Sequence, residues 1–321
     1  MKIGNIKLKN NVIIAPMAGI SNASFRELCF EFGAGLVEME MVSDKAIYYM
    51  NKKTLKMLEV DDNYHPVSLQ LFGSDPKTMA YATRVVCEKT NADIIDINMG
   101  CPVNKVVKTG AGAALMKDEK LALKVVKAVL KESTKPVTVK MRLGWDKESI
   151  NYLSLAKKLE KAGVSAITLH ARTRSQMYQG NADWEAIKLL KKELKIPVIG
   201  NGDIKTLDDY KKYEKYCDGI MIGRGVVGNP FLIKQILNYK QGKRNIKISY
   251  KSRFKQLLNH TNKLIKLKGE KSAIYEMRGI APHYLTGLYG CTKYKNKMIS
   301  VASLDDLKNV LDEYSEVLSN L

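Results

Sequence analysis

Eight short apolar runs, rich in β-branched residues, recur through the first 225 positions of this 321-residue chain. They are Val12-Ile13-Ile14-Ala15, Leu36-Val37-Glu38-Met39, Val67-Ser68-Leu69-Gln70-Leu71, Ile94-Ile95-Asp96-Ile97-Asn98, Val137-Thr138-Val139-Lys140, Ala166-Ile167-Thr168-Leu169-His170, Val198-Ile199-Gly200-Asn201 and Gly219-Ile220-Met221-Ile222. Most lie roughly 20 to 30 residues apart, the length of one strand–helix unit, with a single longer interval between the fourth and fifth. The segments 24–32, 77–89, 117–130, 149–161, 183–194 and 207–216 place apolar residues at i, i+3 and i+4. That is the pattern of crossover helices lying on a parallel sheet. Asp118, Asp183 and Thr206 stand where helix N-caps are needed. An open, doubly wound sheet uses the same alternation, but eight units favour closure, so the fold expected is α/β, a (β/α)8 TIM barrel. After Pro230 the strand pattern stops, and 253–267, 273–288 and 304–318 read as helices. The expected division is a barrel over 1–240 and a small C-terminal all-helical domain over 241–321.

No apolar run approaches the roughly 20 residues needed to span a bilayer, and the opening Met1 to Leu8 alternates too strongly for a signal peptide. A cytoplasmic chain without membrane contact is expected. Five cysteines, Cys29, Cys87, Cys101, Cys217 and Cys291, are scattered and never paired as Cys-x-x-Cys, which favours neither a disulfide framework nor a metal site. The net charge is +20 and unevenly placed: residues 240–300 hold 15 Lys and Arg against only Glu270 and Glu276. Solvated helix faces account for such a stretch, and so does a surface that binds a polyanion.

In a barrel of this kind, catalytic side chains project from the C-terminal ends of the strands. Gln70, Asn98, Lys140, His170 and Asn201 each stand at or near the end of an apolar run. The long interval after the fourth run contains Gly100-Cys101-Pro102 and the glycines Gly110 and Gly112, a loop whose length points to function and whose glycines permit close approach of a ligand. Cys101 is then either a packed small hydrophobe or a reactive thiol. The seventh and eighth runs end in Gly200-Asn201-Gly202-Asp203 and Gly223-Arg224-Gly225, where barrels commonly hold a phosphate on backbone N–H groups. Arg172, Arg174 and Tyr178 follow His170 as a basic loop with one aromatic, either a plain surface loop or part of a groove for a nucleic-acid backbone.

These segments resemble the tRNA-dihydrouridine synthases, and more closely the bacterial B-type subfamily. The likeness runs nearly end to end through Ala15-Pro16-Met17-Ala18-Gly19, Gln70-Leu71-Phe72-Gly73, Asp96 to Pro102, Val139 to Trp145, His170-Ala171-Arg172-Thr173-Arg174, Gly200 to Ile204, Gly223-Arg224-Gly225 and Gly228-Asn229-Pro230. The resemblance implies an FMN- and NAD(P)H-dependent oxidoreductase that reduces uridines of tRNA to 5,6-dihydrouridine. It implies FMN backed by Pro16, Met17 and Ala18, with Gln70, Lys140 and His170 on its polar edge. Asn201, Gly202, Asp203, Gly223, Arg224 and Gly225 would hold its phosphate. Cys101 matches the family's general acid, protonating C5 of the uracil as hydride reaches C6, while Asn98, Lys140, Arg172, Arg174 and Arg278 would face the RNA substrate. The reductant implied is NADPH or NADH, and neither a metal nor an obligate protein partner is implied. The basic helical region would bind the tRNA. Two departures stand out: Gly279-Ile280 and His283-Tyr284-Leu285-Thr286-Gly287 replace Lys-His and Trp-Tyr-type residues, and Phe231 stands where a Trp is usual. A flavin barrel acting on a free pyrimidine would share the catalytic motifs but would have no use for the basic region. A purely RNA-binding barrel would have no use for the motifs.

Overall fold

The computed structural model describes residues 1–245 and 247–321. All eight apolar runs are strands: Val12–Ile14, Leu36–Glu38, Val67–Phe72, Ile94–Met99, Val137–Arg142, Ala166–His170, Val198–Asn201 and Gly219–Ile222. Each pairs in parallel with its sequence neighbour, and the last pairs with the first through Met221 opposite Ile13, so the sheet closes. Burial on both faces explains why these strands read as continuous apolar runs. A short extra strand, Val42–Ser43, lies along the end of the third barrel strand, with Val42 opposite Leu71.

The barrel floor is apolar. A two-stranded hairpin, Lys2–Ile3 with Ile6–Lys7, brings Ile3 and Leu8 into one buried cluster with Ile13, Leu36, Ile94, Ala166, Ile199 and Met221. Met1 and Ile6 pack against this cluster. The expected caps are formed: Asp118 accepts from the Leu121 N–H at 3.0 Å and Asp183 from the Ala186 N–H at 3.3 Å, while Thr206 and Asp209 make a capping box. Helices the periodicity did not announce are Asp44–Tyr48, Lys52–Lys56, Asn104–Val107, Phe231–Lys240 and Cys291–Met298, together with a 3-10 turn at Gly112–Lys117. Several of these are too short to complete an apolar stripe.

The chain forms two compact units, Met1–Ala18 with Ala34–Gly223, and Gly19–Gly33 with Arg224–Leu321. Helix Ala23–Glu31 reads in the sequence as a barrel crossover yet belongs to the second unit. Its Phe25 ring lies 6.1 Å from that of His260, and Lys263 Nζ bonds to Glu27 and Glu31 at 2.5 and 2.9 Å. Elsewhere in this unit His260 Nδ1 pairs with the Tyr284 hydroxyl at 3.0 Å, and Tyr294 stacks on Tyr314 at 3.9 Å. Among the described residues no helix is long and apolar enough to cross a membrane.

Candidate active site

Above the apolar floor the inward side chains become polar, and the strand register sets their order. Gln70 lies opposite Asp96, Asn98 opposite Lys140, Arg142 opposite His170, and His170 opposite Asn201. Asp96 is fully buried and accepts from Gln70 Nε2 at 2.7 Å and from the Thr138 hydroxyl at 2.6 Å. Burial nevertheless pushes its carboxyl up to about 6, with the two hydrogen bonds and the charge of Lys140 opposing. Glu38, 2% exposed, is raised for the same reason and by the proximity of Asp96. Burial also lowers the Lys140 ammonium, while Glu38 and Asp96 pull it back up. Two carboxyls and one ammonium thus act on one another inside the barrel, a charge set that stays near neutral when one carboxyl keeps its proton.

Cys101 is held at both of its backbone groups. Asn98 Oδ1 accepts from the Cys101 N–H at 2.8 Å and from the Gly100 N–H at 3.1 Å, while Asn98 Nδ2 donates to Gln70 Oε1 at 2.7 Å. The Cys101 carbonyl accepts from the Ala113 N–H at 3.0 Å. That return of the loop depends on Gly112, at φ +61°, where a Cβ would fall 2.8 Å from the Cys101 carbonyl oxygen and 2.9 Å from Val106. The thiol is half-buried and lies within electrostatic reach of Lys140 and Arg142.

The loop after His170 is organised by two buried arginines. Arg142 donates from Nε to the Gly100 carbonyl at 2.7 Å and from Nη1 to the Thr173 and Met177 carbonyls at 2.8 Å each. Desolvation lowers its pKa to about 10. Arg172, 1% exposed, donates to the Gln179 and Gly180 carbonyls at 3.0 and 2.6 Å and to Asp203 Oδ2 at 2.6 Å. Its Nη1 lies 3.5 Å from His170 Nε2. Asp203 also accepts from the Ala182 N–H at 2.8 Å, and the Arg172 bond helps hold its carboxyl below the usual range against the effect of partial burial. Arg174 points elsewhere: Nη2 donates to Asn104 Oδ1 at 2.7 Å, and the guanidinium lies 4.5 Å from the Trp145 ring centre.

Asn201 donates to the Met221 carbonyl at 2.9 Å. Gly202 and Asp203 follow with φ of +139° and +56°, a pair of positive values that glycine and a short polar residue adopt most readily. A Cβ at Gly202 would fall 2.5 Å from that of Ala182. Pro16 and Met17 are half-buried and Ala18 exposed. Gly223 abuts this first loop, since its added Cβ would meet Ala15 and Met17 Sδ at 3.5 and 3.7 Å. Arg224 and Gly225 belong to the second unit, at the 3-10 turn Arg224–Val226. So does Arg278, whose Nε donates to the Val301 carbonyl at 2.8 Å beside the exposed Tyr275 ring. Among the described residues no group of three or more His, Cys, Asp or Glu is gathered as a metal site would require. Glu38, Asp96 and Arg142 lie outside the set of polar strand ends, yet they belong to this buried polar group. Each is a charged residue inside an otherwise apolar strand, and that mismatch was the available signal.

Residues 13–320 match the family described as Dihydrouridine synthase (Dus). A probable tRNA-dihydrouridine synthase of Rickettsia bellii is 39% identical over 99% of this chain and 99% of its own length. The chain belongs to the dihydrouridine synthase family. Its membership in this family of flavin-dependent oxidoreductases extends to B-type relatives: tRNA-dihydrouridine synthase B of Pseudomonas syringae pv. tomato is 37% identical over 92% of this chain and 88% of that one. Among solved structures, an old yellow enzyme homologue from Zymomonas mobilis superposes with a TM-score of 0.54 at 13% identity, covering 79% of this dihydrouridine synthase family member and 94% of that chain, a likeness of fold.

Proposed function

We propose that this chain reduces uridines of tRNA to 5,6-dihydrouridine, as a B-type tRNA-dihydrouridine synthase with FMN at the barrel rim and NADPH or NADH as reductant. The observation that carries this reading is the grip on Cys101, whose N–H and carbonyl are both bonded so that a half-buried thiol sits beside Lys140 on the rim. The residues fit a flavin nucleotide. Glu38 Oε2 and Ser68 Oγ are buried without a partner among the described residues, polar capacity that a bound polar group or water would satisfy. Asn201, Gly202, Asp203 and Gly223 would hold the phosphate, with Pro16, Met17 and Ala18 behind the ring and Gln70, Lys140 and His170 at its polar edge.

The chemistry a bound FMN supplies is hydride delivery to C6 of the uracil. Cys101 would give its thiol proton to C5, leaving a thiolate that the cationic charge of Lys140 and Arg142 favours. Asn98 orients that thiol through the backbone and so holds the acid in place. Lys140 would also stabilise negative charge building at the uracil O4. Arg172, with its guanidinium committed to Gln179, Gly180 and Asp203, would serve the substrate by fixing the loop beside His170. In the helical unit the basic stretch, with Arg278 beside Tyr275, would bind the RNA and help offset the cost, a few kcal/mol, of extruding a stacked base. The expected setting is the cytoplasm. Incubating the protein and NADPH with tRNA from cells lacking their own dihydrouridine synthases, then mapping dihydrouridine by mass spectrometry, tests the reading. Dihydrouridine at defined positions is expected. A yellow protein that oxidises NADPH but leaves tRNA unmodified would overturn the substrate.

A further inference from the structure

The loop that carries Cys101 is gripped from outside at both ends, by residues the mechanism above does not use. Near its start, Asn104, three residues past Cys101, accepts from Arg174 Nη2 at 2.7 Å. At its far end Lys117 Nζ lies 4.8 Å from the centre of the Trp145 ring, the same ring against which the Arg174 guanidinium lies at 4.5 Å. Trp145 is tied to the Arg174 segment by backbone bonds as well, Arg174 N–H to the Gly144 carbonyl at 3.0 Å and Ser175 N–H to the Trp145 carbonyl at 2.9 Å. Three rim loops, after the fourth, fifth and sixth barrel strands, therefore meet at one indole.

We infer that Trp145, Arg174 and Asn104 form a latch that positions the Cys101 loop over the barrel, and that Arg174 acts through Asn104 rather than by touching RNA. The inference rests on the assignment of Cys101 as the proton donor. An arginine that binds a phosphate presents its N–H donors outward to it. Arg174 instead has one nitrogen bonded to Asn104 and one face on an indole, and its Nε is buried without a partner among the described residues. The bond to Asn104 is charge-assisted and solvent-exposed, and the indole face adds a cation–π contact, so the two together hold the loop by more than either alone. Cys101 is anchored to its own strand by Asn98. The latch governs the rest of the loop, and so the path by which the thiol approaches a base. All three are positioning residues.

The test compares Asn104→Ala, Asn104→Asp and Trp145→Ala with the wild type. Alkylation of Cys101 by iodoacetamide, followed by peptide mass spectrometry, reads loop position with no substrate present, and the buried Cys29 serves as the control for overall loosening. Asn104→Ala and Trp145→Ala are expected to speed Cys101 alkylation about ten-fold. They are expected to lower kcat for dihydrouridine formation ten- to a hundred-fold, roughly the cost of misplacing a reacting group by an ångström, with KM for tRNA nearly unchanged. Asn104→Asp keeps an acceptor for Arg174 and should restore both. If Trp145→Ala also exposes Cys29, the Asn104 pair alone decides. A wild-type alkylation rate in Asn104→Ala, or a raised KM for tRNA with kcat intact, overturns the latch. Should the wild type form no dihydrouridine in tRNA, the proposed function fails while the alkylation rates still decide the latch.

Discussion

The two halves of the barrel interior are built from the same eight strands and differ in what those strands point inward. The floor gathers Ile13, Leu36, Ile94, Ala166, Ile199 and Met221 under a plug of Ile3 and Leu8, with no polar side chain among them. Toward the C-terminal ends of the strands the interior holds Glu38, Gln70, Asp96, Asn98, Lys140, Arg142 and His170. The lower half can bury itself with dispersion and the hydrophobic effect alone. The upper half must satisfy each donor and acceptor and balance each charge, at a cost in stability that only function justifies. Closure of the sheet makes this division possible, because a barrel with no free edge lets its floor carry the fold while its rim is specialised.

The contrast is most sharply tested at the rim. Cys101→Ala removes one sulfur from a half-buried site and leaves the backbone bonds to Asn98 and Ala113 in place. Dihydrouridine formation should fall by about 10²–10⁴, the usual contribution of a general acid, while the melting temperature stays that of the wild type. The floor should behave in the opposite way. Ile13→Ala opens a cavity in a fully buried cluster and is expected to cost about 2–5 kcal/mol in urea unfolding, with kcat per folded molecule unchanged. A floor variant that lowers kcat at constant folded fraction would break the division of labour.

A pH experiment separates the halves in another way. Asp96 keeps its proton up to about 6 in the folded chain, whereas the unfolded chain releases it near 3.8. Between these values the folded state binds more protons, so stability falls as pH rises from about 4 through 6, by on the order of 1–3 kcal/mol. Glu38, raised by the same burial, acts in the same direction. Asp96→Asn should flatten this part of the profile, measured by urea unfolding at pH 4.5 and 6.5, and a slope identical to the wild type would show that the charge is balanced elsewhere. The smallest effect is expected from Thr138→Val, which deletes one hydrogen bond to Asp96 and should cost about 1 kcal/mol at neutral pH.

How much of this was legible in the sequence follows from the same contrast. Strands buried on both faces announce themselves as β-branched runs, so all eight were readable, with Asp118, Asp183 and Thr206 as caps. The hairpin under the floor was not, because Lys2–Ile3 and Ile6–Lys7 are two-residue strands whose partner is each other. Gln70, Asn98, Lys140, His170 and Asn201 were visible as polar strand ends. Which of them bond to one another was invisible, since register across neighbouring strands is set by pairing and not by local pattern. Arg172 and Arg174 look alike in a basic loop, yet one closes on Asp203 and the other on Asn104 and Trp145, a difference decided by partners 31 and 70 positions away. The place of helix Ala23–Glu31 was equally hidden, for its periodicity gives the apolar face and not what covers it.

That helix also sets a clock for the ribosome. Glu27 finds Lys263 only after 236 further positions have been added, and the first barrel strand must wait for Met221 before the sheet can close. At about 5–20 residues per second, the apolar face of Ala23–Glu31 stays uncovered for roughly ten to fifty seconds of synthesis. The nascent chain therefore leaves Phe25, whose ring packs near His260 in the folded chain, without that neighbour for most of its translation.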